Sequence, residues 1–178
     1  MILPLIYYGN PILRERSQEV KEITEEIKKL ISDMVETMDA NNGCGLAAIQ
    51  IGKPYRLFIL RPVIEDENGE AILGDVEVYL NPKITNTSEK SEILSEGCLS
   101  IPKLHAEVER PYSLHIEALN INGKSFSQDV EGFIAREIMH ENDHLNGVLY
   151  IDRIPSQKRK EMEPLLRDIK DQFDSSHG

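Results

Sequence analysis

The pentapeptide His140-Glu141-Asn142-Asp143-His144 constrains this chain more than any other stretch. Its two histidines can serve one ion only if the segment is helical, because at 3.6 residues per turn positions i and i+4 fall on one face about a turn apart. Glu141 then sits beside the ion, where a carboxylate can take a proton from water. The competing reading of these five residues alone is a surface helix with two histidines flanking a solvated acid.

The flanking pattern says what surrounds that helix. Glu131-Gly132 opens it, and Phe133, Ile134, Ile138 and Leu145 are its expected packing residues. Upstream, Val20, Ile23, Ile27, Leu30, Ile31, Met34, Val35 and Met38 recur at three- and four-residue spacing, which predicts an amphipathic helix ending at Asn41-Asn42-Gly43 with Met34 and Met38 in the core. Residues 56–60, 76–80, 105–109 and 114–119 are β-rich or alternating, with turns at Asn68-Gly69 and Asn122-Gly123. Beyond Ile151-Asp152-Arg153-Ile154-Pro155, the spacing of Met162, Leu165, Leu166, Ile169 and Phe173 predicts a C-terminal helix over 156–173. The expectation is one α+β domain over residues 1–178. Its core, about 1–154, has antiparallel or mixed sheets packed around the His140–His144 helix, with a further helix toward each end. His105 and His115 read as structural residues on strands, and His177 as part of a frayed tail.

Composition narrows the function classes. With 178 residues, 40% of them hydrophobic, a core can form without disulfides. Two cysteines make no disulfide framework and fit a reducing compartment. A net charge of −11 argues against specific nucleic-acid recognition. No apolar run approaches membrane-spanning length, and Met1-Ile2-Leu3-Pro4-Leu5 lacks the basic start and long apolar core of a signal peptide, so a cytoplasmic location is expected.

Two further segments carry chemistry. A catalytic site built on two histidines needs a third protein ligand and an open position for water. Cys98 in Glu96-Gly97-Cys98-Leu99-Ser100 would complete that count, the alternative being a buried inert thiol. Gly97 before it allows a close backbone approach. Gly43-Cys44-Gly45-Leu46-Ala47-Ala48-Ile49-Gln50 suggests a turn of similar kind; it has neither phosphate-loop pattern, and its plainer reading is a connection after the preceding helix.

Taken in chain order, GCGLAAIQ at 43–50, EGCLS at 96–100 and HENDH at 140–144 resemble the peptide deformylases, and the match runs from Gly9-Asn10-Pro11-Ile12-Leu13-Arg14 through Leu145-Asn146-Gly147. The resemblance implies hydrolytic removal of the formyl group from N-formylmethionyl peptides as they are made, with transient ribosome association as a further expectation. It implies Cys98, His140 and His144 as ligands of one divalent ion. Fe²⁺ would be the ion in the cell, with Zn²⁺, Ni²⁺ or Co²⁺ as substitutes. It assigns catalytic roles to Glu141 as base and to the Gln50 amide and Leu99 N–H as oxyanion donors. The substrate would lie along Gly43, Cys44, Gly45, Glu96, Gly97, Phe133, Arg136 and Glu137. The chain departs from the family at Met139, where glutamine is common, at Ile49, where proline or threonine is frequent, and at Cys44, where isoleucine or valine is more usual. Arg136 and Glu137 lie near positions that are generally more apolar in relatives, and would form either a charged pocket rim or a solvated face. Two other classes fit parts of the pattern. A zinc endopeptidase would want a ligand downstream of the helix, where the next histidine is His177; a metal-stabilised binding module would want a closed four-ligand site, which only Cys44 could complete.

Overall fold

The computed structural model describes residues 1–174. Helix α1 spans Glu25–Ala40. The apolar periodicity extends back to Val20, yet the helix begins later because the Thr24 hydroxyl accepts the Ile27 amide and caps it, with Glu25 and Glu26 favourably placed in the first turn. Val20 is still buried, with its backbone served by a neighbour: Asn81 accepts its N–H and donates to its C=O. Met34 and Met38 are fully buried, each worth roughly 1.5–3 kcal/mol of apolar burial.

Strands β1 (Gly45–Ala47), β2 (Leu57–Leu60), β3 (Val63–Glu65), β4 (Ala71–Leu73) and β5 (Glu77–Thr85) follow. Next come β6 (Ser91–Cys98), β7 (Ile101–Pro111), β8 (Ser113–Leu119) and β9 (Ser125–Glu131). Five strands form one antiparallel sheet in the order β1-β2-β5-β8-β9, while β3-β4 and β6-β7 are separate hairpins. The two Asn-Gly dipeptides lie in the β3-β4 and β8-β9 connections, where Gly69 and Gly123 take positive φ.

Helix α2 (Phe133–Leu145) starts after Gly132, which adopts φ 73° and ψ −140°. Ala135, Ile138, Met139 and Leu145 pack against Phe58, Leu60, Tyr79, Leu114 and Ile116 of the five-stranded sheet. The exception among the expected packing residues is Phe133, which is 47% exposed at the helix mouth. Helix α3 (Ser156–Asp174) buries Met162, Leu166 and Ile169 against β7 and the segment around Tyr150. Leu165, counted in its apolar stripe, points outward instead. No helix among the described residues is long and apolar enough to cross a membrane. His177 lies outside the described residues.

Candidate active site

Three segments, α2 among them, meet along one side of that helix. Each is placed by a local backbone requirement. After α1, Asn42 turns at φ 56° and the Gly43 N–H returns to the Met38 carbonyl. A side chain at Gly43 would stand 2.7 Å from Leu99 Cδ1, and one at Gly45 would stand 2.6 Å from Glu141 Oε2. A side chain at either position would thus have to displace Leu99 or Glu141, so the glycines let this segment pass close to both without moving them. A single 3-10 turn, Ala48–Ile51, then carries Gln50 inward. Its Oε1 accepts the Ala47 amide at 2.9 Å, and its Nε2 donates to Ser100 Oγ at 3.0 Å while standing 3.5 Å from Cys98 Sγ.

The second segment is the end of β6. Register with β7 slips between Gly97, opposite His105, and Cys98, opposite Ile101. This irregularity turns the Cys98 thiol toward α2. A Cβ at Gly97 would fall 2.6 Å from the His105 ring and would have to displace it.

On α2, His140 and His144 stand with ring centroids 5.3 Å apart. One donor atom from each, with Cys98 Sγ, makes a set in which all three atoms lie within 4.8 Å of one another; Sγ to His144 Nε2 is 3.4 Å. Donors held at metal-ligand distances of about 2.0–2.3 Å stand roughly 3.3–3.8 Å apart around a tetrahedral ion, so these residues fit one with small adjustment. The His140 tautomer fits too. His140 Nδ1 is engaged by Glu96 Oε1 at 2.9 Å, which leaves Nε2 for the ion. Burial pulls the His144 pKa well below its ordinary value, with His140 and Arg110 adding to the effect, so its ring stays neutral as a ligand must. For His140 burial acts in the same direction, but the neighbouring Cys98 and Glu96 outweigh it and hold the group above its usual value.

Glu96 is the centre of a buried ion network. Arg110 bonds both its oxygens at 2.6 and 2.9 Å, and Arg136 reaches Oε2 at 2.6 Å. Arg110 continues to Asp143, which is held in turn by Arg153. Burial alone would raise the Glu96 pKa; the hydrogen bonds from His140 and Arg110 reverse that and bring it to about 2. Arg136 is thus not on a solvated face. It is 4% exposed, and besides Glu96 it donates to the carbonyls of Val108 and Glu92. Glu96 and Arg136 both border the cavity, but their charged groups are turned to each other.

Glu141 is 5% exposed and its Oε1 has no hydrogen-bond partner. Desolvation lifts its pKa to about 7 against the opposing pull of His140, the range in which a carboxylate accepts and returns protons under cellular conditions. Glu137, one turn earlier, lies beside Cys44. Desolvation raises Glu137 to about 8, partly offset by the Cys44 thiol, and burial raises Cys44 to about 12. Cys44 is therefore a neutral thiol in the wall. All of these groups border a cavity of about 530 Å³, together with Gly43, Gly45, Gly97, Leu99 and Phe133.

Sequence reasoning did not single out Ser100, Arg110, Asp143 or Arg153 as site residues. Ser100 carried a signal, since it closes EGCLS. Asp143 lay inside the HENDH motif, and Arg110 and Arg153 carried no signal beyond their charge.

A mixed sulfur and nitrogen donor set beside a buried, unpartnered carboxylate is the arrangement of a metal-dependent hydrolase. The profile of the polypeptide deformylase family matches residues 2–160. The peptide deformylase of Rhizobium meliloti is 45% identical over 158 residues, covering 89% of this chain and 88% of that protein. That of Mesorhizobium japonicum is 42% identical over 171 residues, 94% of each. The crystal structure of the Thermus thermophilus peptide deformylase superposes with a TM-score of 0.86 at 37% identity, covering 99% of both chains. A structure of the Ehrlichia chaffeensis peptide deformylase in complex with actinonin gives 0.84 at 34% identity, covering 94% of this chain and 97% of that one. The chain belongs to the polypeptide deformylase family.

Proposed function

We propose that this protein removes the formyl group from N-formylmethionine at the start of newly made polypeptides, using one divalent ion held by Cys98, His140 and His144. The observation that carries the reading is the convergence of those three donor atoms within 4.8 Å, beside the buried Glu141 carboxylate and at the wall of a cavity large enough for a methionine side chain. The ion we assign in the cell is Fe²⁺, with Zn²⁺, Ni²⁺ or Co²⁺ as substitutes, all of which accept thiolate and imidazole donors. When bound it supplies Lewis acidity, drawing the pKa of water from ~15.7 toward 7.

The chain's own residues do the rest. Glu141 takes a proton from the attacking water and delivers it to the amine nitrogen as the C–N bond breaks, giving formate and a free N-terminal methionine. Gln50 Nε2 stands at the donor set, anchored through its Oε1, and with the Leu99 N–H it stabilises the negative oxygen that develops on the formyl group. Gly45 and Gly97 offer backbone groups to an extended peptide, in the manner of strand addition. Gly43, Cys44, Phe133 and Glu137 line the wall on which the first side chain rests. Glu96, with Arg110 and Arg136 behind it, orients His140. Reaction in the cytoplasm, during transient contact with the ribosome, fits a substrate that exists at the start of synthesis.

The test is formate release from formyl-Met-Ala-Ser by protein purified anaerobically, with its ion content measured. Stoichiometric formate and Met-Ala-Ser are expected. Protein carrying one equivalent of ion that releases no formate rejects the reading, and cleavage of internal peptide bonds replaces it with an endopeptidase.

A further inference from the structure

Beside the active-site cavity lies a second groove, of about 800 Å³, and the two share Ser95 and His105 in their walls. Its floor follows from strand register. Gly97 faces His105, Ser95 faces Glu107 and Ile93 faces Glu109 across the β6-β7 hairpin, so with a side-chain period of two these pairs line up on one face. The row begins next to Cys98 and leads away from it. The opposite wall is the turn into α3, with Arg153, Ile154, Pro155 and Lys158.

Charge in this groove is unevenly satisfied. Arg153 is held by Asp143 through bonds of 2.6 and 2.8 Å, and Lys158 stands 3.9 Å from Glu161. Glu107 and Glu109 are exposed and form no ion pair among the described residues. The groove therefore offers two unused carboxylates on a track that starts at the catalytic centre.

We infer that this groove receives the downstream residues of the substrate polypeptide and favours chains with basic side chains a few positions after the formylmethionine. The inference rests on the deformylase reading for the identity of the occupant. Spacing fixes the positions. At ~3.3 Å per residue, Glu107 lies about 10 Å and Glu109 about 17 Å along the hairpin from Cys98. An extended chain whose first residue sits at the donor set thus brings its fourth side chain to Glu107 and its sixth to Glu109. Ile93, Ile154 and Pro155 give the aliphatic stems of lysine or arginine an apolar surface.

Three hexapeptides test this: formyl-Met-Ala-Ser-Lys-Ala-Lys and its counterparts with glutamine or glutamate at both lysine positions. At low ionic strength kcat/KM is expected to fall in the order lysine, glutamine, glutamate, with roughly 3- to 10-fold between the first and last, the scale of two exposed ion pairs. The Glu107→Gln/Glu109→Gln variant should lose this ranking and keep wild-type turnover of formyl-Met-Ala-Ser, which ends short of the groove. A Glu22→Gln/Glu26→Gln control, at exposed positions near the start of α1 that do not line the groove, should retain it. Calorimetric affinities for the same hexapeptides give a second readout that needs no turnover. Absence of formate from the tripeptide counts against the deformylase reading, and the groove is then judged by affinity alone. Equal affinities and rates for the three hexapeptides, or a lysine preference that survives in Glu107→Gln/Glu109→Gln, would overturn the inference.

Discussion

Replacing Glu96 with glutamine removes one charge from a site where three partners depend on it. Glu96 and Arg110 are 5% and 3% exposed at their side chains and Arg136 is 4% exposed, so solvent does not screen the pairs. After the substitution Arg110 keeps Asp143 at 3.0 Å, whereas Arg136 keeps only the carbonyls of Val108 and Glu92. One buried guanidinium is left without a counter-charge, and breaking a buried pair from one side costs about 3–5 kcal/mol. For a chain of this size that corresponds to a fall in Tm of roughly 6–20 °C. His140 also loses the carboxylate on its Nδ1, for which a loss of about 10- to 100-fold in ion affinity is expected. Urea melts of ion-free protein give the first quantity, and competition against a chromophoric chelator gives the second. Adding Arg136→Met should restore part of the stability, because it removes the stranded charge, but none of the ion affinity. A Glu96→Gln protein that melts within about 1 kcal/mol of wild type and binds its ion equally well would refute the network account.

Three shorter predictions follow from neighbouring residues. Gly45→Ala places a methyl 2.6 Å from Glu141 Oε2 and 3.0 Å from Leu60 Cδ2; kcat should drop at least ~10-fold for a stability loss of about 1–3 kcal/mol, and unchanged kcat would show that Glu141 tolerates displacement. Glu137 binds its proton more tightly folded than unfolded, with its pKa near 8 from burial and the nearby Glu141 and Glu77, against the pull of Cys44 and His140. Folded protein thus holds the extra proton between about pH 4.5 and 8, and this contribution to stability is lost as pH rises through that window. Glu137→Gln should gain on wild type across it by on the order of a few kcal/mol, and parallel pH-stability curves would contradict this. Cys98→Ser should weaken ion binding while Cys44→Val leaves ion content unchanged, as measured by elemental analysis of folded protein; the reverse pattern would exchange the roles of the two thiols.

The parts of this structure that were legible in the sequence are those set by local rules. The helical spacing of HENDH, the turn glycines and the apolar stripe of α1 each follow from periodicity or from φ. Strand β6 was not foreseen, because Ser91–Cys98 is rich in serine and glutamate and shows no clean alternation; its pairing with β7 supplies what its propensity lacks. The start of α1 was placed too early because Val20 and Ile23 continue the apolar period, although Thr24 ends it with a cap. Glu96 stood out only through its motif, and Arg136 looked like a surface charge. Their pairing joins positions 40 residues apart, and no short-range pattern reports such a partner. Phe133 illustrates the converse: expected both to pack and to border the substrate, it packs little and stands in the cavity wall.

The most direct test of the central claim compares formate release by wild type and Glu141→Ala, each carrying one equivalent of the same ion. Glu141 holds no ion-ligand position, so the variant should bind the ion as wild type does while losing about 10²-fold or more in kcat, the scale of a missing general base. Near-wild-type turnover by fully loaded Glu141→Ala would contradict the account.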